Sequence, residues 1–194
     1  MRLPSLAVAA LFAALNYAFW AFMNQPTPEP AWPSKIQGFA ISPYQADQDA
    51  LRGDRPTDAQ IDGDLALLAG KTNAVRTYST LDNIDAVPRL AARHGLNVAL
   101  GAWIDTRRNR NEQEVANAIR LAREHRNVVR VIIGNEVVLR GDMPNEELYE
   151  ILDRAREKIG QPVGTAEPWH VWLQYPQLAE HVDFIAVHLL PYWE

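Results

Sequence analysis

The sequence predicts an α/β chain: a parallel (β/α)8 barrel of the TIM type, truncated after its sixth strand and preceded by one transmembrane helix. Three observations predict it. From Lys35 onward, β-branched apolar runs alternate with amphipathic helical segments across short connections, the pattern of parallel strands joined by right-handed crossovers. The strongest run, Val128–Ile133, stops abruptly at Gly134-Asn135-Glu136, as a strand buried on both faces does. Leu6–Met23 carries no charged residue at all.

That N-terminal run would span roughly 27 Å as a helix, close to the hydrocarbon core of a bilayer. Tyr17 and Trp20 near its far end suit the interfacial aromatic belt, and Arg2 before it places the N-terminus in the cytoplasm. A cleaved signal peptide is the rival, but Phe19-Trp20-Ala21-Phe22-Met23 offers no pair of small residues for a cleavage site. Asn24–Ser34, with four prolines and no apolar period, is a stiff spacer. The chain therefore divides into an anchor at 1–23, a linker at 24–34 and a partial barrel domain at 35–194.

Within the barrel domain, Ile36–Ser42 is the first strand. Thr57-Asp58 caps a helix that runs to Ala69, with Ile61, Leu65 and Leu68 on one face and Gly70 closing it. Asn73–Tyr78 is the second strand, and Asp82–His94 the next helix. Leu96–Ile104 is the third strand, followed by Asn111–His125 with Val115, Ile119 and Ala122 in step. After the fourth strand comes Asn145–Ile159, capped by Asn145. Pro162–Ala166 is the fifth strand, a Trp-rich turn follows, and Asp183–His188 is the sixth.

A doubly wound sheet would announce itself with a Gly-rich phosphate loop after its first strand; here Ser42-Pro43-Tyr44 stands in that place. A full (β/α)8 barrel takes about 250 residues, so a chain that ends after six strands is expected to lack the last two. The net charge of −5 gives no basic footprint, which argues against nucleic acid. With no cysteine, disulfide and thiol chemistry drop out. None of the five histidines has metal-ligand spacing, and no nucleophile elbow is present, so no metal and no cofactor is expected.

Parallel barrels gather their functional groups at the C-terminal ends of the strands. Here that set is Tyr44, Tyr78, Trp103 with Asp105, Asn135 with Glu136, Glu167 with Trp169, and His188 with Tyr192 and Trp193. Aromatic rings beside carboxylates and amides suit a carbohydrate, which offers apolar C–H faces and rings of hydroxyls. Core packing is the alternative for each aromatic taken singly. Tyr78 and Trp169 are the leading contacts, since each follows a strand. Position alone leaves open whether Glu136 is catalytic or a solvated loop carboxylate.

An Asn-Glu pair ending the fourth strand resembles the retaining glycoside hydrolases with (β/α)8 barrels. VRTYST at Val75–Thr80, IIGNEV at Ile132–Val137, GTAEPWHVWL at Gly164–Leu173 and HLLPYWE at His188–Glu194, in that order along the chain, narrow the likeness. Together they resemble glycoside hydrolase family 17, and within it the bacterial membrane-anchored branch, from about Gly38 onward. The resemblance implies action on β-1,3-glucans by two carboxylates, with Glu136 as general acid/base and Asn135 on the sugar 2-hydroxyl. Tyr78, Trp103, Glu167, Trp169, His188 and Tyr192 are the expected substrate contacts.

The resemblance also places the nucleophile at the end of strand seven, which this chain does not reach. Neither Glu167 nor Glu194 stands at the matching position, so a fragment of a longer reading frame is expected. The implied partners are a β-glucan, the membrane through residues 6–23 and a downstream glycosyltransferase domain. The implied location is the bacterial cytoplasmic membrane, single-pass, with the barrel on the periplasmic side. The alternative is a non-catalytic glucan-binding or accessory segment of a membrane β-glucan synthase.

Overall fold

The computed structural model describes residues 3–26, 31 and 33–190. The chain divides into two compact units, Met1–Pro33 and Ser34–Glu194. The first unit holds helix α1 (Leu3–Met23). Pro4–Met23 is long and apolar enough to cross a membrane, a test that a signal sequence also passes. Leu11, Phe12, Leu15 and Phe19 are all exposed, and apolar side chains cover every face of the helix rather than one stripe. Part of the expected linker, 27–30 and 32, lies outside the described residues, as do Tyr192, Trp193 and Glu194.

The second unit is built on six strands: β1 (Ile36–Ala40), β2 (Thr72–Arg76), β3 (Asn97–Ala102), β4 (Val128–Asn135), β5 (Val163–Pro168) and β6 (Phe184–His188). They lie in the order β1-β2-β3-β4-β5-β6, and every neighbouring pair is parallel. A doubly wound sheet reverses its order at a switch point. This order never reverses, so each crossover adds the next strand on the same side. The result is a curled half-barrel with helices.

The helices are α2 (Asp58–Leu68), α3 (Val87–Arg93), α4 (Arg108–Glu124), α5 (Val137–Arg140), α6 (Asn145–Lys158) and α7 (Trp169–Gln174). Strand side chains alternate between two faces. Val75, Val98, Leu100, Val131, Ile133 and Val163 face the helices and join Leu65, Leu90, Leu121, Leu148 and Leu152 in one buried core. Each such side chain contributes about 1.5–3 kcal/mol on burial. One step out of phase, Arg76, Ile132, Ala186 and His188 face the concave side.

Several boundaries differ from the sequence expectation. Helix α3 begins at Val87 rather than Asp82, because Asp82 and Asn83 take left-handed backbone (φ 56 and 69) and a 3-10 turn intervenes. Pro88 sits in the first turn of α3, where its missing N–H costs nothing. Helix α4 starts at Arg108, before Asn111, and Asn111 turns back to bond the Asp105 backbone on both sides. Pro144, not Asn145, holds the cap position of α6. Strand β5 runs on to Pro168, since Glu167 and Pro168 pair with Val187 and His188 of β6. The Trp-rich segment is helix α7 rather than a turn.

Gly101 marks the closest approach of β3 to the chain leaving β2. A Cβ there would stand 2.1 Å from the Thr77 carbonyl oxygen and 2.8 Å from the Tyr78 Cα. Gly101→Ala should therefore cost about 3 kcal/mol, the upper end for overpacking, and lower the urea midpoint. Gly63→Ala, where nothing lies within 4 Å of a new Cβ in helix α2, should instead raise stability by about 0.5–1 kcal/mol. Equal midpoints for the two variants would contradict the tight β2–β3 approach.

Candidate active site

Strand β4 ends on two left-handed residues that bracket Asn135: Gly134 at φ 85 and Glu136 at φ 58. For glutamate this conformation costs about 1–2 kcal/mol, so the surroundings must hold it. The Glu136 N–H donates to the Ala166 carbonyl at 2.7 Å, and the Glu136 carbonyl accepts from Arg140 N–H at 2.9 Å. The turn hands the chain from β4 to α5 and sends the Glu136 side chain to the concave face. There Oε1 lies 2.6 Å from Nδ1 of His188, which ends β6.

Arg76, at the end of β2, joins this pair to Asn135. One guanidinium nitrogen donates to Asn135 Oδ1 at 2.8 Å, and another lies 3.4 Å from His188 Nε2. A guanidinium only donates, so Nε2 presents its lone pair and Nδ1 carries the proton that it donates to Glu136. By the same argument the Asn135 amide turns its oxygen to Arg76, leaving its NH2 for another partner. Burial pulls the Arg76 guanidinium below its ordinary range, opposed by Tyr78 and Glu136. Its flat face lies 4.7 Å from the centre of the Tyr78 ring.

A second arginine braces the other flank. Arg140 of α5 donates to the carbonyls of Asn135 and of Ile104, the latter at 2.9 Å, and to Asp142 at 2.7 Å. Its guanidinium lies 4.6 Å from the Trp103 ring. Trp103 donates its indole N–H to Asp105 at 3.1 Å, and the Arg107 side chain holds the Asp105 carboxyl below the usual range. Tyr44, Tyr78, Trp103 and Asp105, with Arg55 and Arg110, line a cleft of about 650 Å³ over the loops after β1, β2 and β3.

Comparison with known proteins identifies the domain. Residues 38–194 match the BtgE/BtgC glycoside hydrolase domain. The chain belongs to the BtgE/BtgC glycoside hydrolase family. It is 31% identical to a glucan 1,3-beta-glucosidase of Schizosaccharomyces pombe over 68% of this chain and 45% of that protein. It is 27% identical to a putative glucan endo-1,3-beta-glucosidase, btgC, of Aspergillus niger, over 71% of this chain and 22% of that protein. The chain thus spans less than half the length of these two relatives. Among solved structures, an active-site mutant of the Rhizomucor miehei beta-1,3-glucanosyltransferase in complex with laminaritriose superposes with a TM-score of 0.68. That structure is 25% identical, and the match covers 81% of this chain and 58% of that one.

Within this BtgE/BtgC domain the structure brings Asn135, Glu136 and His188 into one bonded group and sets Tyr78 and Trp103 along the adjoining cleft. Glu167 goes elsewhere. It was expected as a substrate contact after strand five, but it lies within β5, in phase with Val163 and Thr165, and is 0% exposed. Both its oxygens accept from backbone N–H groups of α5, so it turns away from the concave face. Trp169 opens α7 at 41% exposure with its ring edge-on to His170, outside the cleft lining. Tyr192 falls outside the described residues. Sequence reasoning passed over Arg76 and Arg140. Arg76 had a signal, a cation inside an apolar strand; Arg140 had none.

Glu114 of α4 secures the loop that carries Tyr78. It is 0% exposed and accepts from the Ser79 hydroxyl at 2.5 Å, the Thr80 N–H at 2.6 Å and the Thr80 hydroxyl at 2.7 Å. Burial raises the Glu114 carboxyl above its ordinary 4.5, and the hydrogen bonds only partly offset that. Between 4.5 and the raised value the folded state binds more protons than the unfolded one, so stability falls as pH rises through that window. Glu114→Gln should flatten this decline of the urea midpoint above pH 4.5. A slope as steep as that of the unaltered protein would show that Glu114 does not titrate there.

Proposed function

We propose that this domain cleaves or transfers β-1,3-linked glucan with retention, Glu136 acting as general acid and then general base. The observation that carries this reading is the Glu136 carboxyl, one residue past β4 on the concave face and bonded to His188. A proton donor at that rim reaches a glycosidic oxygen lying across the strand ends. The Asn135 NH2, which has no hydrogen-bond partner among the described residues, would donate to the sugar 2-hydroxyl, a contact that strengthens in an oxocarbenium-like transition state. Tyr78 and Trp103, each backed by a guanidinium, supply the flat apolar walls on which sugar rings rest.

Glu136 first gives its proton to the leaving oxygen and then takes one from the acceptor. Water as acceptor yields hydrolysis; a second glucan chain yields transglycosylation. The names of the Schizosaccharomyces pombe and Rhizomucor miehei relatives support the β-1,3 linkage. The four sequence pieces support the finer placement in glycoside hydrolase family 17, in its membrane-anchored bacterial branch. Retention also requires a nucleophilic carboxylate about 5–5.5 Å from the acid/base. Glu167 does not supply it, being buried with both oxygens bonded to backbone.

Glu136→Gln keeps size and removes the transferable proton. In the complete protein, with the nucleophilic carboxylate present, it should lower kcat on laminaritriose by about 10²–10⁴-fold with folding intact, and azide should restore turnover on substrates with good leaving groups. Turnover close to that of the unaltered protein would refute the assignment.

We also propose that α1 anchors the domain in the membrane, with the glucan site on the outer side. The apolar surface all round α1 and the single flanking Arg2 support this reading. A reporter active only outside the cytoplasm, fused after Ser34, should be active. Activity of a cytoplasmic reporter at the same point would reverse the orientation.

A further inference from the structure

Glu167 is fully buried, yet no cation forms an ion pair with it among the described residues. Its Oε1 accepts from the Val138 N–H at 2.9 Å, and its Oε2 from the Leu139 N–H at 3.3 Å. One residue earlier, the Ala166 carbonyl accepts from the Glu136 N–H at 2.7 Å. Two consecutive residues of β5 therefore grip the Glu136–Leu139 turn, one by a backbone carbonyl and one by a carboxylate. A side chain kept only for packing at this position would be apolar, since burying a carboxylate carries a large desolvation cost. What the carboxylate adds is a pair of strong acceptors for α5 N–H groups that have no partner within the helix.

We infer that Glu167 is a positioning residue: it holds the turn after β4 in its left-handed conformation and thereby sets Glu136 against His188. This rests on the reading of Glu136 as the acid/base given above. The mechanical link is short. Glu136 takes its φ of 58 immediately before α5, so tilting α5 rotates the Cα–Cβ bond of Glu136. The 2.6 Å contact to His188 tolerates little of that. The charged and titratable groups around Glu167 are Glu136 from the end of β4, Arg140 from α5 and, beyond Glu136, His188 from β6. Burial raises the Glu167 carboxyl above its ordinary 4.5, the two N–H bonds oppose this, and Glu136 adds to it. Protonation would remove one of the two acceptors, so the grip weakens on the acid side.

The test begins with the unaltered full chain in detergent micelles, followed by NMR as pH is lowered. The Val138 and Leu139 amide resonances should titrate with the Glu167 carboxyl, and the His188 ring signals should show a step at the same midpoint. A His188 ring that ignores the Glu167 titration would overturn the inference, and this measurement needs no variant to fold. Glu167→Gln then keeps the volume and replaces one acceptor by a donor. In the complete protein, with the nucleophilic carboxylate present, its kcat on laminaritriose should fall by about tenfold or more with KM within about twofold. The ratio of unaltered to variant kcat should shrink toward one at low pH, where the unaltered protein loses the same bond. A pH-independent ratio that follows the folded fraction would mean a merely structural role and would sink the proposal. If Glu136→Gln kept its turnover, the acid/base reading would fall alone, because the coupling between Glu167 and the His188 ring is measured without catalysis.

Discussion

A single half-buried guanidinium, that of Arg76, joins the ends of three strands that are far apart in sequence. It rises from β2, bonds Asn135 at the end of β4 and meets His188 at the end of β6. Taking such a cation out of water costs several kcal/mol. The offset comes from the Asn135 amide, the face of Tyr78 and the charge of Glu136. Because Arg76 can only donate, it orients everything it touches: the Asn135 oxygen, the His188 lone pair and, through His188, the proton given to Glu136. The rest of the site depends on this one-way polarity.

Three glutamates stand close to the rim, and their surroundings separate them. Glu136 keeps part of its surface, with 27% of its side chain exposed. Glu114 and Glu167 are both at 0% and accept from backbone N–H groups beside the site. Burial pushes both carboxyls up. One pins the loop after β2, the other the turn after β4. Two buried carboxylates thus fasten backbone beside the site, while the third keeps a surface that solvent reaches. The two wall aromatics are braced in a parallel way, Tyr78 by Arg76 and Trp103 by Arg140, and this fixes ring planes that apolar packing alone would leave freer.

Much of the fold was legible in the sequence because strand and helix periods are local properties. All six strands and the four longer barrel helices lie where the apolar periods put them, within a few residues. The exceptions have local causes: left-handed Asp82 and Asn83, Pro144 at a cap, and an Asn111 side chain drawn back to the Asp105 loop. The one-turn helix α5 went unseen because four residues are shorter than a helical period can register.

For the site, the sequence by itself determined that Asn135 and Glu136 stand at a buried strand's C-terminal end, and that Tyr78, Trp103 and His188 end other strands. Parallel order then brings those ends to one rim, and this much follows from chain order alone. What only the tertiary structure decided is which way each side chain turns. Strand five reaches two residues further than its own apolar run because β6 pairs with it, and the two-residue period then sends Glu167 to the helix side. Likewise the partners of Arg76 are 59 and 112 residues away. No local pattern encodes such separations. They exist only once the strands are set side by side.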